Sequence, residues 1–212
     1  MYFKAGEHKQ AGLTYSPLKA LISPRPIGWI STCDDKGNAN LAPYSFFNAV
    51  SELPPMVMFV SAPDLREQAK GQHHSPKDSL ANIKQTGEFG VNIVAHAQRD
   101  AMIETSATLP ADVDEFAAAG LLMKKAHDIS APLVAGAPAQ LECRLHDMIT
   151  LPGTETKAGS IMVIGHIVSL HIADEFIIDG KIDVTRYQPI ARLGYKDYAT
   201  IEEIYEITQG LK

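Results

Sequence analysis

Three segments of the chain carry side chains able to hold a flat, anionic molecule. The first is Ser23-Pro24-Arg25-Pro26-Ile27-Gly28-Trp29-Ile30-Ser31-Thr32. Its Pro-Arg-Pro start is extended and stiff, and it presents one guanidinium just ahead of an apolar run. Ser31 and Thr32 then place a hydroxyl on each face of a strand. The second is Asn40-Leu41-Ala42-Pro43-Tyr44-Ser45-Phe46-Phe47-Asn48. It mixes three rings with hydroxyl and amide groups, more than a packed strand needs. A planar ring with hydrogen-bonding edges would suit it. Phe46 and Phe47 fall on opposite faces if this segment is a strand, so at most one of them can meet a ligand directly. The third is Lys77-Asp78-Ser79 with Asn82, at a helix start. Free N–H groups, a lysine charge and a hydroxyl together suit a phosphate. The same residues also read as an ordinary helix cap. Jointly, the three segments specify a ligand with rings at one end and a phosphate at the other.

Other chemistries lack their motifs. No Gly-x-Gly-x-x-Gly follows a strand, and there is no P-loop and no Gly-x-Ser-x-Gly elbow. His73-His74 has no acidic or cysteine partner nearby and reads as a solvated loop rather than a metal site. His166, within the Met162, Ile164, Val168 parity, reads as a core or interface histidine. No catalytic residue and no metal ligand is assigned. The chain has 212 residues, 45% of them hydrophobic, enough for one domain with a sizeable core. Its net charge of −6 argues against nucleic-acid or anionic-membrane surfaces. No apolar run marks export or spans a membrane. Cys33 and Cys143 sit in apolar stretches and read as reduced core thiols, so a cytoplasmic protein is expected.

Strands must position these groups. Ile27 to Cys33 ends in the turn Asp34-Asp35-Lys36-Gly37-Asn38, and the Asn40 segment returns as its hairpin partner. Pro54-Pro55 breaks the chain before a strand over Met56 to Ser61. A helix runs from Ser75-Pro76 to Gly87, with Leu80 and Ile83 on its apolar side. Strands follow at Glu88 to Val94, around Leu141, Cys143 and Leu145, and at Ser160 to Ile172. The last is apolar on both parities, so both its faces should be covered. Ala97 to Glu104 reads as a helix, and Asp114-Glu115-Phe116 as a helix start or part of a lid. Trp29 reads as core or interface. The count gives a mainly β chain with a few short helices, closed or nearly closed as an antiparallel barrel.

These motifs, in order over roughly residues 15 to 200, resemble the flavin reductase-like, FMN-binding split-barrel family, most closely its flavoredoxin-type members. The resemblance rests on Pro24 to Thr32, Asn40 to Asn48, Pro54-Pro55, Lys77-Asp78-Ser79 with Asn82-Ile83, Asp114-Glu115-Phe116, Leu141-Glu142-Cys143 and Arg192-Leu193-Gly194. It implies a split antiparallel β-barrel that forms a homodimer, with FMN bound near the subunit interface. It implies that Ser31, Thr32, Ser45, Phe46, Phe47 and Asn48 line the flavin ring, and that Lys77, Asp78 and Ser79 lie at its phosphate. Arg25, Ser61 and Asn82 join the cofactor contacts, and Arg192 approaches the flavin or its phosphate. The family often has Thr where Ser79 stands, and Gly where Tyr195 follows Arg-Leu-Gly. The implied activity is that of an NAD(P)H:flavin oxidoreductase. A nicotinamide cosubstrate stacks transiently on the flavin, and free flavin, a monooxygenase component or another redox protein accepts the electrons. The alternative is an FMN-bearing electron carrier without NAD(P)H activity.

Overall fold

The computed structural model describes residues 1–63, 78–107, 113–154 and 158–207. Its strands are β1 (Arg25–Pro26), β2 (Gly28–Cys33), β3 (Ala39–Tyr44), β4 (Phe47–Glu52), β5 (Pro55–Ser61), β6 (Glu88–Ile93), β7 (Met123–Lys124), β8 (Leu133–Val134), β9 (Ala139–Thr150), β10 (Ile161–Ile172), β11 (Ile177–Ile178), β12 (Lys181–Ile182), β13 (Ile190–Arg192) and β14 (Tyr198–Thr200). Five short α-helices accompany them among the described residues. The expected hairpin forms, with Thr32 opposite Asn40 and Gly28 opposite Tyr44. Asp34 builds its turn. The carboxylate accepts from the backbone N–H groups of Lys36 and Asn38 at 2.9 and 2.8 Å, and Gly37 takes the left-handed φ of +86°.

Seven strands form one antiparallel sheet in the order β3-β2-β6-β9-β10-β5-β4. Its two edge strands, β3 and β4, are consecutive in the chain and joined only through Ser45-Phe46. Two residues cannot cross a flat seven-stranded sheet, since neighbouring strands lie about 4.8 Å apart. The sheet therefore curls until its edges meet, and the Phe46 carbonyl accepts from Val60 N of β5 at 2.8 Å. The result is the split barrel. A small sheet, β1-β13-β14, flanks it with Arg25 opposite Arg192.

Inside the curl lie Ile30, Tyr44, Phe47, Phe59, Ile83, Phe89, Val91 and Val163. The helix Asp78–Thr86 contributes Leu80 and Ile83 to this core, as its apolar side requires. It ends at Gly87, whose φ of +73° closes the last turn with an N–H bond to Ile83 O at 2.8 Å. Gly28 is needed for packing. A Cβ there would lie 2.6 Å from the Phe47 ring. Trp29 is fully buried in a second cluster on the other face of β2, with its Nε1 donating to Thr105 Oγ1 at 2.8 Å. Both cysteines are buried and free, and burial pushes the Cys143 thiol far above its usual range.

Strand β10 departs from expectation on one face. Val163 is buried inward, but on the outer parity Met162 and Ile164 are only half-buried and Val168 is 40% exposed. Opposite them on β5, Val60, Met58 and Met56 are half-buried as well. Within the chain this face is not fully covered. His166 lies on it, hydrogen-bonded to His146 Nδ1 at 3.1 Å. No helix among the described residues is long and apolar enough to cross a membrane.

Candidate functional site

At the turn end of the hairpin, four chain segments bring amides, hydroxyls and carboxylates together. Asn40 is the hub. Its Oδ1 accepts from Ser79 Oγ at 2.7 Å, and its Nδ2 donates to Glu115 Oε1 at 3.0 Å. Thr32 Oγ1 accepts from Asn82 Nδ2 at 3.1 Å and lies 3.5 Å from Asn40 Oδ1. Glu115 Oε2 accepts from Leu41 N at 3.2 Å. Thr32, Asn40, Ser79 and Glu115 are all buried, which leaves their geometry little freedom. Burial raises the Glu115 carboxyl above its usual range, against the lowering pull of its hydrogen bonds to Leu41 and Asn40. A cleft of about 160 Å³ opens beside the cluster, lined by Asp34, Asn38, Ala39, Asn40, Asp78, Asn82, Val113 and Glu115.

Tyr44 leads from this cluster toward the other end of the hairpin. Its phenol is buried and pushed above the usual range, while the hydroxyls of Ser79 and Ser61 pull it back. Ser61 is 3% exposed. The chain then bends at Ser45-Phe46, both half-buried, between the two sheet edges. The two phenylalanines part as opposite faces require. Phe47 packs into the barrel core, and Phe46 turns toward Lys19 and Arg25, each 5.8 Å from its ring centre. Asn48 is exposed, and its Oδ1 accepts from Ala49 N at 2.9 Å. Ser31 lies on the opposite face of β2 from Thr32. Its hydroxyl accepts from Asn92 Nδ2 at 3.2 Å in the interior.

Beyond the Gly28–Tyr44 end sit two guanidiniums. Arg25 is buried and donates to the carbonyls of Lys19 at 2.5 Å, Leu193 at 2.7 Å and Ile22. It thereby ties the helix Leu18–Leu21 to the turn after β13. Burial, then the charge of Arg192, lowers its pKa. Arg192 is half-buried and donates to Tyr198 Oη and to Tyr195 O. The structure thus gathers Thr32, Ser79 and Asn82 at one end of the hairpin, Ser45 and Phe46 at the other, and Arg25 with Arg192 beyond. Lys77, His73 and His74 lie outside the described residues.

Asn40 and Glu115 are participants that motif reading passed over as site residues. The signal for Asn40 was its place opposite Thr32 in the hairpin. Glu115 gave none. Asp114 caps the short helix Glu115–Ala118 by accepting from Phe116 N at 2.9 Å, as a helix start should. Only tertiary packing turns the next residue inward.

The donor set fits a flavin mononucleotide at two of its three parts. The half-buried Ser45-Phe46 bend offers a ring wall with backbone N–H groups. The neutral amides and hydroxyls of Asn40, Ser79, Thr32 and Asn82 suit a hydroxylated chain. For the phosphate, the described lining of the cleft offers three carboxylates and no cation. That expectation rests on Lys77.

Comparison with known proteins agrees with this architecture. A family model described as a flavin reductase like domain matches residues 21–182. An uncharacterized protein of Aquifex aeolicus is 33% identical over 186 residues, covering 87% of this chain and 88% of the relative. The crystal structure of nitrilotriacetate monooxygenase component B from Bacillus cereus is similar at 30% identity and a TM-score of 0.85, covering 98% of both chains. The flavoredoxin of Desulfovibrio vulgaris shares the fold at 17% identity and a TM-score of 0.74, covering 100% of this chain and 99% of its own. The match over most of the chain and the curled seven-stranded sheet lead to one conclusion: this chain belongs to the flavin reductase-like family.

Proposed function

We propose that the protein is an FMN-dependent NAD(P)H:flavin oxidoreductase, passing electrons from a nicotinamide to flavin and on to free flavin or a redox partner. The observation that carries this reading is the hairpin's division of labour, a hydroxyl and amide cluster at Thr32–Asn40 and a half-buried bend at Ser45-Phe46. Bound FMN supplies the hydride and electron chemistry. The chain's own residues bind and orient. Ser45 and the backbone N–H groups of the bend donate to the polar edge of the ring. Thr32, Asn40, Ser79 and Asn82 meet the hydroxylated chain, and Lys77 with the helix start meets the phosphate. No side chain has to accept or donate a proton. The half-exposed outer face of β5 and β10 supports a homodimer. The likeness to a protein that is component B of a monooxygenase supports a monooxygenase as acceptor.

Anaerobic mixing of the purified protein with FMN and NADH or NADPH tests the reading. Bleaching of the visible flavin band is expected with at least one nicotinamide. Reduction by a redox protein but by neither nicotinamide would make the protein an electron carrier. Failure to bind FMN at all would sink both readings.

A further inference from the structure

The helix Leu18–Leu21, the turn between β13 and β14, and Phe46 meet in a ledge of cations and rings. Gly194 lies so close to Ala20 that a Cβ would come within 2.6 Å of the alanine methyl, which seats the turn on the helix. Arg192 lies 4.4 Å over the Tyr198 ring, and Lys19 is 5.8 Å from the Phe46 ring. Tyr15 and Tyr195 pair at 5.6 Å between ring centres while 67% and 51% exposed. Among the described residues, Lys19, Arg25 and Arg192 form no ion pair, and the exposed Asp197 of the same turn reaches none of them. A guanidinium has five N–H donors. The described contacts of Arg192 use two, to Tyr198 Oη and Tyr195 O. Tyr195 also holds a φ of +54°, a left-handed conformation costly for a bulky residue. In that conformation its ring meets Tyr15 and its carbonyl accepts from Arg192.

One phosphate cannot serve both this ledge and the helix start. The pairs Thr32–Asn40 and Gly28–Tyr44 stand four residues apart along the hairpin, roughly 13 Å at about 3.3 Å per residue. Arg25 and Arg192 lie beyond the second pair. If the resident flavin places its phosphate at the helix start, these cations remain for another anion, next to Phe46 at the ring end.

We infer that the ledge binds the adenosine diphosphate part of the nicotinamide dinucleotide, with Arg192 and Lys19 on the phosphates and the Tyr15–Tyr195 pair against the base. Charge and exposed rings in one place match a phosphorylated aromatic molecule. The inference rests on the oxidoreductase reading and names where its cosubstrate is held. A second, transient FMN molecule shares the same chemistry.

Calorimetric titration of FMN-loaded protein with ADP-ribose tests this, with FMN affinity measured first for each variant. Arg192→Ala should weaken ADP-ribose binding about tenfold, the loss of one charge-assisted contact. Lys19→Ala, at an exposed position, should weaken it several-fold. Tyr195→Gly should also weaken it while the melting temperature holds or rises, because glycine accepts the left-handed backbone without strain. A structural role alone would lower the melting temperature and spare binding. The inference is overturned if wild-type protein does not bind ADP-ribose at millimolar concentration, or if the variants bind it as wild type does. It is overturned too if Arg192→Ala loses the first FMN, which would place Arg192 at the resident cofactor. Loss confined to a second FMN equivalent would assign the ledge to free flavin instead of the dinucleotide. If wild-type protein binds no FMN, the oxidoreductase reading fails, and ADP-ribose titration of the flavin-free protein still reads the ledge.

Discussion

At the Thr32–Asn40 end of the hairpin, a buried carboxylate is held by neutral donors. Beyond the Gly28–Tyr44 end, two guanidiniums lie side by side and bond to carbonyls and a phenol. The contrast separates interactions that complete themselves from those that do not. The Asn40 cluster satisfies Ser79, Thr32, Asn82 and Glu115 mutually, so it is preorganised and can offer a ligand fixed donors and acceptors. Arg25 is nearly as complete, since its charge is spread over three carbonyls. Arg192 is not. It keeps spare donors and a neighbouring like charge, which favour an arriving anion.

The largest effect expected from breaking this contrast is at Arg25. Arg25→Ala would leave the carbonyls of Lys19, Ile22 and Leu193 without their donor and release the helix from the β13–β14 turn. The expected loss is about 3–5 kcal/mol of unfolding free energy in urea denaturation. A loss below about 1 kcal/mol would mean that water replaces the guanidinium at the three carbonyls.

Arg25 also marks the limit of what could be read from the chain. Pro-Arg-Pro correctly announces a stiff entry to a strand, but it cannot say which carbonyls the guanidinium meets. Leu193 lies 168 positions away. Local signals served well where the cause is local. The Asp34 turn, the hairpin pairing, the Gly87 stop and the opposite aims of Phe46 and Phe47 all follow from turn chemistry or strand alternation. Burial of Glu115 comes from the packing of a short helix on β3, and motif reading has no access to that. Strand β10 erred in an informative direction. Its apolar outer parity promised a covered face, and the chain alone leaves that face half-exposed.

A smaller effect belongs to the phosphate end. Lys77→Ala should weaken FMN binding by about 1–3 kcal/mol if the lysine supplies the charge that the acidic cleft lining lacks. Fluorescence titration reads this directly. Unchanged affinity would leave Lys77 a surface residue and move the phosphate to other donors. With Arg192→Ala in the same titration, the two ends of the hairpin are tested for one flavin.

The smallest effect is a pH dependence, and its sign is informative. Burial raises the Glu115 carboxyl in the folded protein above its unfolded value, which is about 4.3. The folded state therefore holds the Glu115 proton more tightly than the unfolded state does. Its contribution to stability is complete below the unfolded pKa and is lost as pH rises through the raised folded value. Asp34 in the same cleft runs the other way, because the hydrogen bonds from Asn38 and Lys36 lower its pKa. Its contribution is present above the unfolded value and lost on acidification. Comparing wild type with Glu115→Gln isolates the first effect, since Asp34 is common to both. From pH 4 to 8, wild type should lose stability relative to Glu115→Gln. A difference that does not change with pH would mean that the carboxyl is not held above its usual range. In that case the Asn40 cluster would be an ordinary polar contact, and its contrast with the guanidinium end would lose its electrostatic basis.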